Sequence, residues 1–130
     1  MSNDRKLVIG FDMDGTLDIP AVRDLAAALA VAGHEVHVIT GMFPQWESPW
    51  QDEAAKYEKF DGFNLPKSVH LHIIEALPVQ TDRNIDYVLR ELNLRKGDLC
   101  RRLGVSVMIE DSSLCATMKA MCGTTVLRIQ

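Results

Sequence analysis

The run "KLVIGFDMD", residues 6–14, limits what this chain can fold into more than any other feature. It is nearly continuous in apolar, β-branched residues, the pattern of a strand covered on both faces. Such a strand belongs to a parallel sheet with helices on each side. Directly at its end, "FDMDGTLD" gathers three carboxylates, Asp12, Asp14 and Asp18, into eight residues. Like charges repel, so this cluster calls for a reason beyond folding.

The rest of the chain alternates helix and strand. "IPAVRDLAAALAVAG" predicts a helix, with Pro20 in its first turn, Val22, Leu25, Ala26 and Leu29 on one stripe, and Gly33 as its stop. "EVHVIT" reads as a second strand, and "ESPWQDEAAKYEKF" as a second helix with Ser48 and Gln51 at capping-box spacing. "SVHLHIIEA" is a third strand and "TDRNIDYVLRELN" a third helix, followed by a separate helical turn from Lys96 to Leu103 that ends at Gly104. "VSVMIE", "SSLCATMKAMCG" and "TTVLRI" complete the pattern as strand, helix and strand. Right-handed crossovers then predict an α/β, doubly wound (Rossmann-like) parallel five-stranded sheet with helices on both faces, in a single domain over residues 1–130.

Composition narrows the partners. A net charge of −4 and a pI near 5.5 give no general basic surface for a nucleic-acid backbone, although Arg95, Lys96, Arg101 and Arg102 form a local basic strip. No apolar run reaches the ~18 residues of a membrane span, so no membrane partner is expected. Three cysteines, an odd number without a secretory leader, read as reduced thiols in the cytoplasm. Cys115 and Cys122 read as small buried hydrophobes. The four histidines flank or alternate along strands two and three without zinc-ligand spacing.

In a doubly wound sheet ligands sit outside the carboxyl ends of the strands, which here carry Asp12, Thr40, Glu75, Glu110 and Asp111. Asp12 and Asp14 leave an extended strand on one face, and Gly15 lets the backbone turn after them. Close carboxylates need a cation or a shared proton, and Mg²⁺ fits because it takes oxygen ligands together with a substrate phosphate. The competing reading is an Asx-rich turn with no ligand. Thr40 and Gly41 place a hydroxyl and an unhindered backbone where a phosphate oxygen could rest. Lys96 precedes the strand that ends in Glu110 and Asp111, and "EDS" could equally cap the last helix. Asp18 reads as the start of the first helix.

Taken in this order, "VIGFDMDGTL", Thr40, Lys96 and Glu110–Asp111 resemble the haloacid dehalogenase-like hydrolase superfamily, over nearly the whole chain. The resemblance implies a Mg²⁺-dependent phosphatase. Asp12 would be the nucleophile forming an aspartyl-phosphate, and Asp14 the general acid and base. Thr40, Gly41 and Lys96 would hold the phosphoryl group, and Asp12, Asp14 (through its backbone carbonyl) and Asp111 the metal. Glu110 would orient a metal-bound water, and Lys67 is a competing lysine.

Relatives of that type often insert a cap domain, for which this chain leaves no room after "DGTLD" or between Glu75 and Lys96. The expected site is open and capless. The segment "GMFPQWESPWQDEAAKYEKFDGF" holds six of the eight aromatic residues, either as a lid stacking on a planar group or as packing for the second helix. "LGVSVMIEDS" is similar to the deoxynucleotidase branch, so the expected substrate is a nucleotide or a nucleic-acid phosphate end, with a phosphosugar or a phosphoprotein as the alternative. Two other classes stand beside the enzyme. A receiver domain would need its aspartate where Glu75 ends strand three, and a non-catalytic member would keep the scaffold as a regulatory binding module.

Overall fold

The computed structural model describes residues 5–42, 53–75, 85–111 and 124–129, with the backbone alone for 85–89. Strand β1 (Val8–Asp12) leads through a tight turn into helix α1 (Pro20–Val31), and β2 (Glu35–Met42) follows. Helix α2 (Glu53–Gly62), β3 (His70–Glu75), α3 (Ile85–Leu103), β4 (Val107–Glu110) and β5 (Thr125–Arg128) complete the chain order. All neighbouring strands pair in parallel, in the spatial order β3-β2-β1-β4-β5. The expected doubly wound sheet is present, and among the described residues no cap domain covers its carboxyl edge.

Strand parity divides the interior into two layers. Ile9 and Phe11 of β1, Val36 and Val38 of β2, and Val107 and Ile109 of β4 meet Val22, Ala26 and Leu29 of α1 and Phe60 of α2. The alternate residues Val8, Ile39 and Met108 meet Leu99, Cys100 and Leu103 of α3 on the opposite face. Successive side chains of a strand point to opposite faces, so each buried strand must be apolar throughout. Gly41 lies in this scheme on the α3 face, where Leu92 packs so closely that a Cβ at Gly41 would sit 2.4 Å from its Cδ2.

Three local expectations need correction. α3 runs unbroken through Lys96 and Gly97, where a separate turn was expected; burial of Leu92, Lys96 and Cys100 along it offsets the ~1 kcal/mol cost of a glycine inside a helix. β2 extends two residues beyond Thr40. Asp18 does not cap α1, whose cap residue is Ile19 without a side-chain bond. Its carboxylate instead accepts the Gly15 N–H at 2.8 Å, closing the turn after β1. Phe60 and Phe63 pack on the core, and Arg23 lies 5.2 Å over the Phe63 ring. Phe43, Trp46 and Trp50, the Ser48–Gln51 capping box, Thr81, the last helix, Cys115 and Cys122 lie outside the described residues. No helix among the described residues is long and apolar enough to cross a membrane.

The edge strand β3 is tied to β2 by imidazoles. His37 is buried, with its Nδ1 2.9 Å from His72 Nε2, its Nε2 2.7 Å from a Glu35 carboxylate oxygen, and its ring stacked on His70 at 5.2 Å. Burial, and then the neighbouring charges of His37 and His70, lower the pKa of His72, while the His37 hydrogen bond lowers that of Glu35, which also faces Lys6. A lowered histidine pKa means that the unfolded chain takes the proton first. Stability from His72 is therefore present above about pH 6.5 and lost as pH falls below it. Glu110, with a raised pKa, contributes with the opposite sign over part of that window. The comparison with His72→Gln isolates the imidazole: urea unfolding at about pH 7.5 and about pH 5 should show wild type losing more stability than the variant. Equal losses would remove His72 as a pH-sensitive tie.

Candidate functional site

The site forms where the strand order reverses. β1 and β4 are neighbours in the sheet but are separated in the chain by two strands, which is the strand-order reversal at which folds of this class form their ligand crevice. Asp12 ends β1 and Glu110 ends β4, both with the parity that faces α3. Lys96 of α3 reaches into this crevice. Its Nζ lies 2.8 Å from Asp12 Oδ1 and 3.2 Å from Glu110 Oε2, and all three residues are buried. Thr16 donates its hydroxyl to Asp12 Oδ2 at 3.0 Å.

Three carboxylates converge here against one ammonium. One ligand oxygen each from Asp12, Glu110 and Asp111 lies within 4.8 Å of the others. Burial, eased by the charge of Lys96, pushes the Glu110 carboxyl up to about 7. Burial and the hydrogen bond to Asp12 raise Asp111 as well. Lys96 is held firmly protonated, because Asp12 and Glu110 outweigh the burial that opposes its charge. The backbone is shaped around this arrangement. Gly15 has φ +82°, and a Cβ there would fall 2.0 Å from Asp111 Oδ2, so both the left-handed turn and the approach of the carboxylate require glycine.

Asp14 goes elsewhere. The strand ends at Asp12 and the chain turns through Met13, whose carbonyl accepts the Leu17 N–H at 2.9 Å. The expected common face of Asp12 and Asp14 is lost with the extended backbone. Asp14 crosses to the α2 layer, where Lys56 and Lys59 bind its carboxylate, Lys59 at 2.7 Å, and Thr40 donates to it at 3.2 Å. Lys59 also lies 3.0 Å from Asp18. Burial works to raise the Asp14 pKa, but the two lysines hold its carboxyl below the usual carboxylate range.

The structure thus brings together Asp12, Asp111 and Lys96, adds Glu110 to the carboxylate group, and separates Asp14 and Thr40 into a second cluster. Gly41 is buried under Leu92, and Lys67 is exposed away from both clusters, beside Phe60 and Pro66. Lys56 and Lys59 were missed. Their signal was a pair of lysines at i and i+3 in an otherwise acidic helix, and Lys56 is buried on its inner side. A cavity of about 830 Å³ between β3 and α3, lined by His72, Arg95 and Arg102 among others, is lined by none of these carboxylates.

No family model matches the chain, and no curated protein matches it. Solved structures do. One is a universal stress protein in complex with cAMP, 12% identical, covering 96% of this chain and 97% of that one with a TM-score of 0.61. The likeness is one of fold. A universal stress protein family member from Burkholderia pseudomallei is 14% identical with 98% of each chain covered and a TM-score of 0.54. The C-terminal domain of a Pyrococcus furiosus hydrogenase is 12% identical, covering 95% of this chain and 90% of that one, with a TM-score of 0.54.

These findings correct the family and activity expected from the sequence. The fold neighbours are universal stress proteins and a hydrogenase domain, not haloacid dehalogenase-like hydrolases, and the phosphatase reading with an aspartyl-phosphate on Asp12 is withdrawn. The geometry agrees on one step. An Asp14 carboxyl held ionised by two lysines has no proton to give a leaving group near neutral pH.

The buried ion cluster makes its own prediction. Lys96→Met leaves Asp12 and Glu110 facing each other without a cation and should cost about 3–5 kcal/mol in urea unfolding. Adding Glu110→Gln should recover part of that loss, by removing one of the two uncompensated charges. A single variant as stable as wild type would mean that the carboxylates are not held apart by Lys96.

Proposed function

We propose that this chain is a regulatory binding module that takes a small nucleotide, with Mg²⁺, at the carboxyl edge of its sheet. The observation that carries this reading is the convergence of Asp12, Glu110 and Asp111 at the strand-order reversal, more carboxylate than Lys96 can neutralise. Mg²⁺ binds oxygen at about 2.0–2.1 Å, so ligands on opposite sides of one ion stand about 4 Å apart, and donors within 4.8 Å need only a small adjustment. The ion keeps open positions for water and phosphate oxygens. Asp12, Glu110 and Asp111 would hold it, and it would bridge them to a phosphate that they alone would repel.

A nucleotide is favoured by the fold neighbour in complex with cAMP, and by the place of the carboxylates at the strand-order reversal, where sheets of this class bind ligands. The acidic chain, with net charge −4, favours a small ligand over a nucleic acid. The 130 residues act as one unit. The buried, reduced Cys100 thiol, 3.9 Å from Met108 Sδ, fits work in the cytoplasm.

Calorimetric titration of the full chain with Mg²⁺, then with AMP, ATP and cAMP, tests the reading. Wild type should bind Mg²⁺ and at least one nucleotide, and Asp111→Asn should weaken Mg²⁺ by about 10- to 100-fold. Absence of nucleotide binding, or steady release of phosphate from the bound nucleotide, would overturn it.

A further inference from the structure

The second charge cluster, on the α2 side, has no part in holding the cation. Lys56 is 3% exposed, yet it carries an ammonium deep in the α2 layer, and such a group needs an anion beside it at all times. Lys56 and Lys59 stand at i and i+3 of α2 and so present their amines on one side of the helix. Both converge on one carboxylate, that of Asp14, and the buried Thr40 hydroxyl donates to the same group. Three donors from two different elements meet a single anion.

We propose that Lys56, Lys59 and Thr40 form a phosphate-binding seat, and that Asp14 occupies it with its own carboxylate until a ligand phosphate displaces it. The inference rests on the nucleotide reading above and assigns the ligand's phosphate to a place that reading leaves open.

The asymmetry of exposure supports displacement. The Asp14 side chain is 40% exposed and the Lys56 side chain 4%, so the carboxylate stands at the mouth of the seat and can turn into water while the lysine cannot. A phosphate monoester dianion carries one charge for each lysine, where Asp14 supplies only one between them. Its three terminal oxygens also match the three donors, where the carboxylate offers two. Asp18, 3.0 Å from Lys59 and bonded to the Gly15 N–H, stays behind as part of the turn.

Gly15 joins the two clusters. On one side its turn meets Asp18 and through it Lys59, and on the other its bare Cα admits Asp111. A phosphate on the lysines is therefore one residue's width of backbone from the cation ligands. Asp14 acts as a built-in competitor, and weak anions fail to bind because they must first replace an intramolecular ion pair.

Inorganic phosphate is the probe, titrated by calorimetry into the full chain without Mg²⁺. Asp14→Asn should bind it about tenfold tighter than wild type, because the competing charge is gone while an oxygen remains for Thr40 and Lys56. Lys59→Gln should bind it about tenfold more weakly, and this partly exposed position tolerates change if Asp14→Asn fails to fold, which circular dichroism would report. Asp14→Asn binding no tighter than wild type, or Lys59→Gln binding as well as wild type, would overturn the seat. Phosphate ignored by every folded variant would overturn it too. A Mg²⁺ titration of the same variants separates the two readings. Intact Mg²⁺ and nucleotide binding with no lysine effect sinks the seat alone, whereas lysine-dependent phosphate binding with no nucleotide binding sinks the nucleotide reading alone.

Discussion

The fold turns on a single buried ammonium. Lys96 reaches from α3 to the ends of β1 and β4, and without it Asp12 and Glu110 would be two neighbouring buried carboxylates with no cation between them. Coulomb energy between buried like charges is too large for a marginally stable domain to carry unpaired. The ion cluster therefore holds α3 to the centre of the sheet. It also sets the charge at the strand-order reversal, because the same three residues meet there.

Strand parity then decides which charges meet. The α3 face receives Asp12 and Glu110 and answers with Lys96. The α2 face receives Thr40, and the turn after β1 delivers Asp14 to it, where Lys56 and Lys59 answer. One strand end thereby feeds two clusters of opposite balance: an excess of carboxylate on one side, and two lysines on the other. Coexistence of an anion-rich and a cation-rich pocket at one turn is costly for folding alone, since each buries groups that water would solvate well. Binding a metal ion and a phosphate together is a use that needs both.

How much of this was legible in the sequence depended on whether local pattern or tertiary contact decided the outcome. β1, β2 and α1 follow from apolar runs, Pro20 and Gly33, whose meaning is local, and they stand close to where the sequence placed them. The pairing of Lys96 with the acids after β4 was also legible, because buried strand, lysine and acids follow one another in order. Gly97 misled, since its cost is local while the packing of Leu92 and Cys100 that overrides it is not. Asp14 misled for a similar reason: its direction depends on where β1 stops, and one residue of strand more or less reverses a side chain. The i, i+3 spacing marked Lys56 and Lys59 as a pair on one helix face, but nothing local marks which lysine will be buried against a residue 42 positions away. The family assignment failed at another level. It drew activity from spacing along the chain, whereas a shared parallel sheet is compatible with many activities.

That last point limits what a likeness at 12% identity conveys. The backbone of a universal stress protein can be superposed on this chain over nearly its whole length, yet a backbone does not carry the charges that choose a ligand. Those are supplied here by two strand ends, one turn and two helices, and each is replaceable without altering the sheet. A binding site at a strand-order reversal can change its chemistry without a change of fold, because its residues lie at strand ends, in the turn after β1 and on helix faces and leave the strand pairing untouched. The fixed quantity is the crevice itself. What a chain of this fold binds is therefore set by the electrostatic balance it places there, and in this chain that balance is three carboxylates and a lysine on one side of Gly15, and two lysines closed by Asp14 on the other.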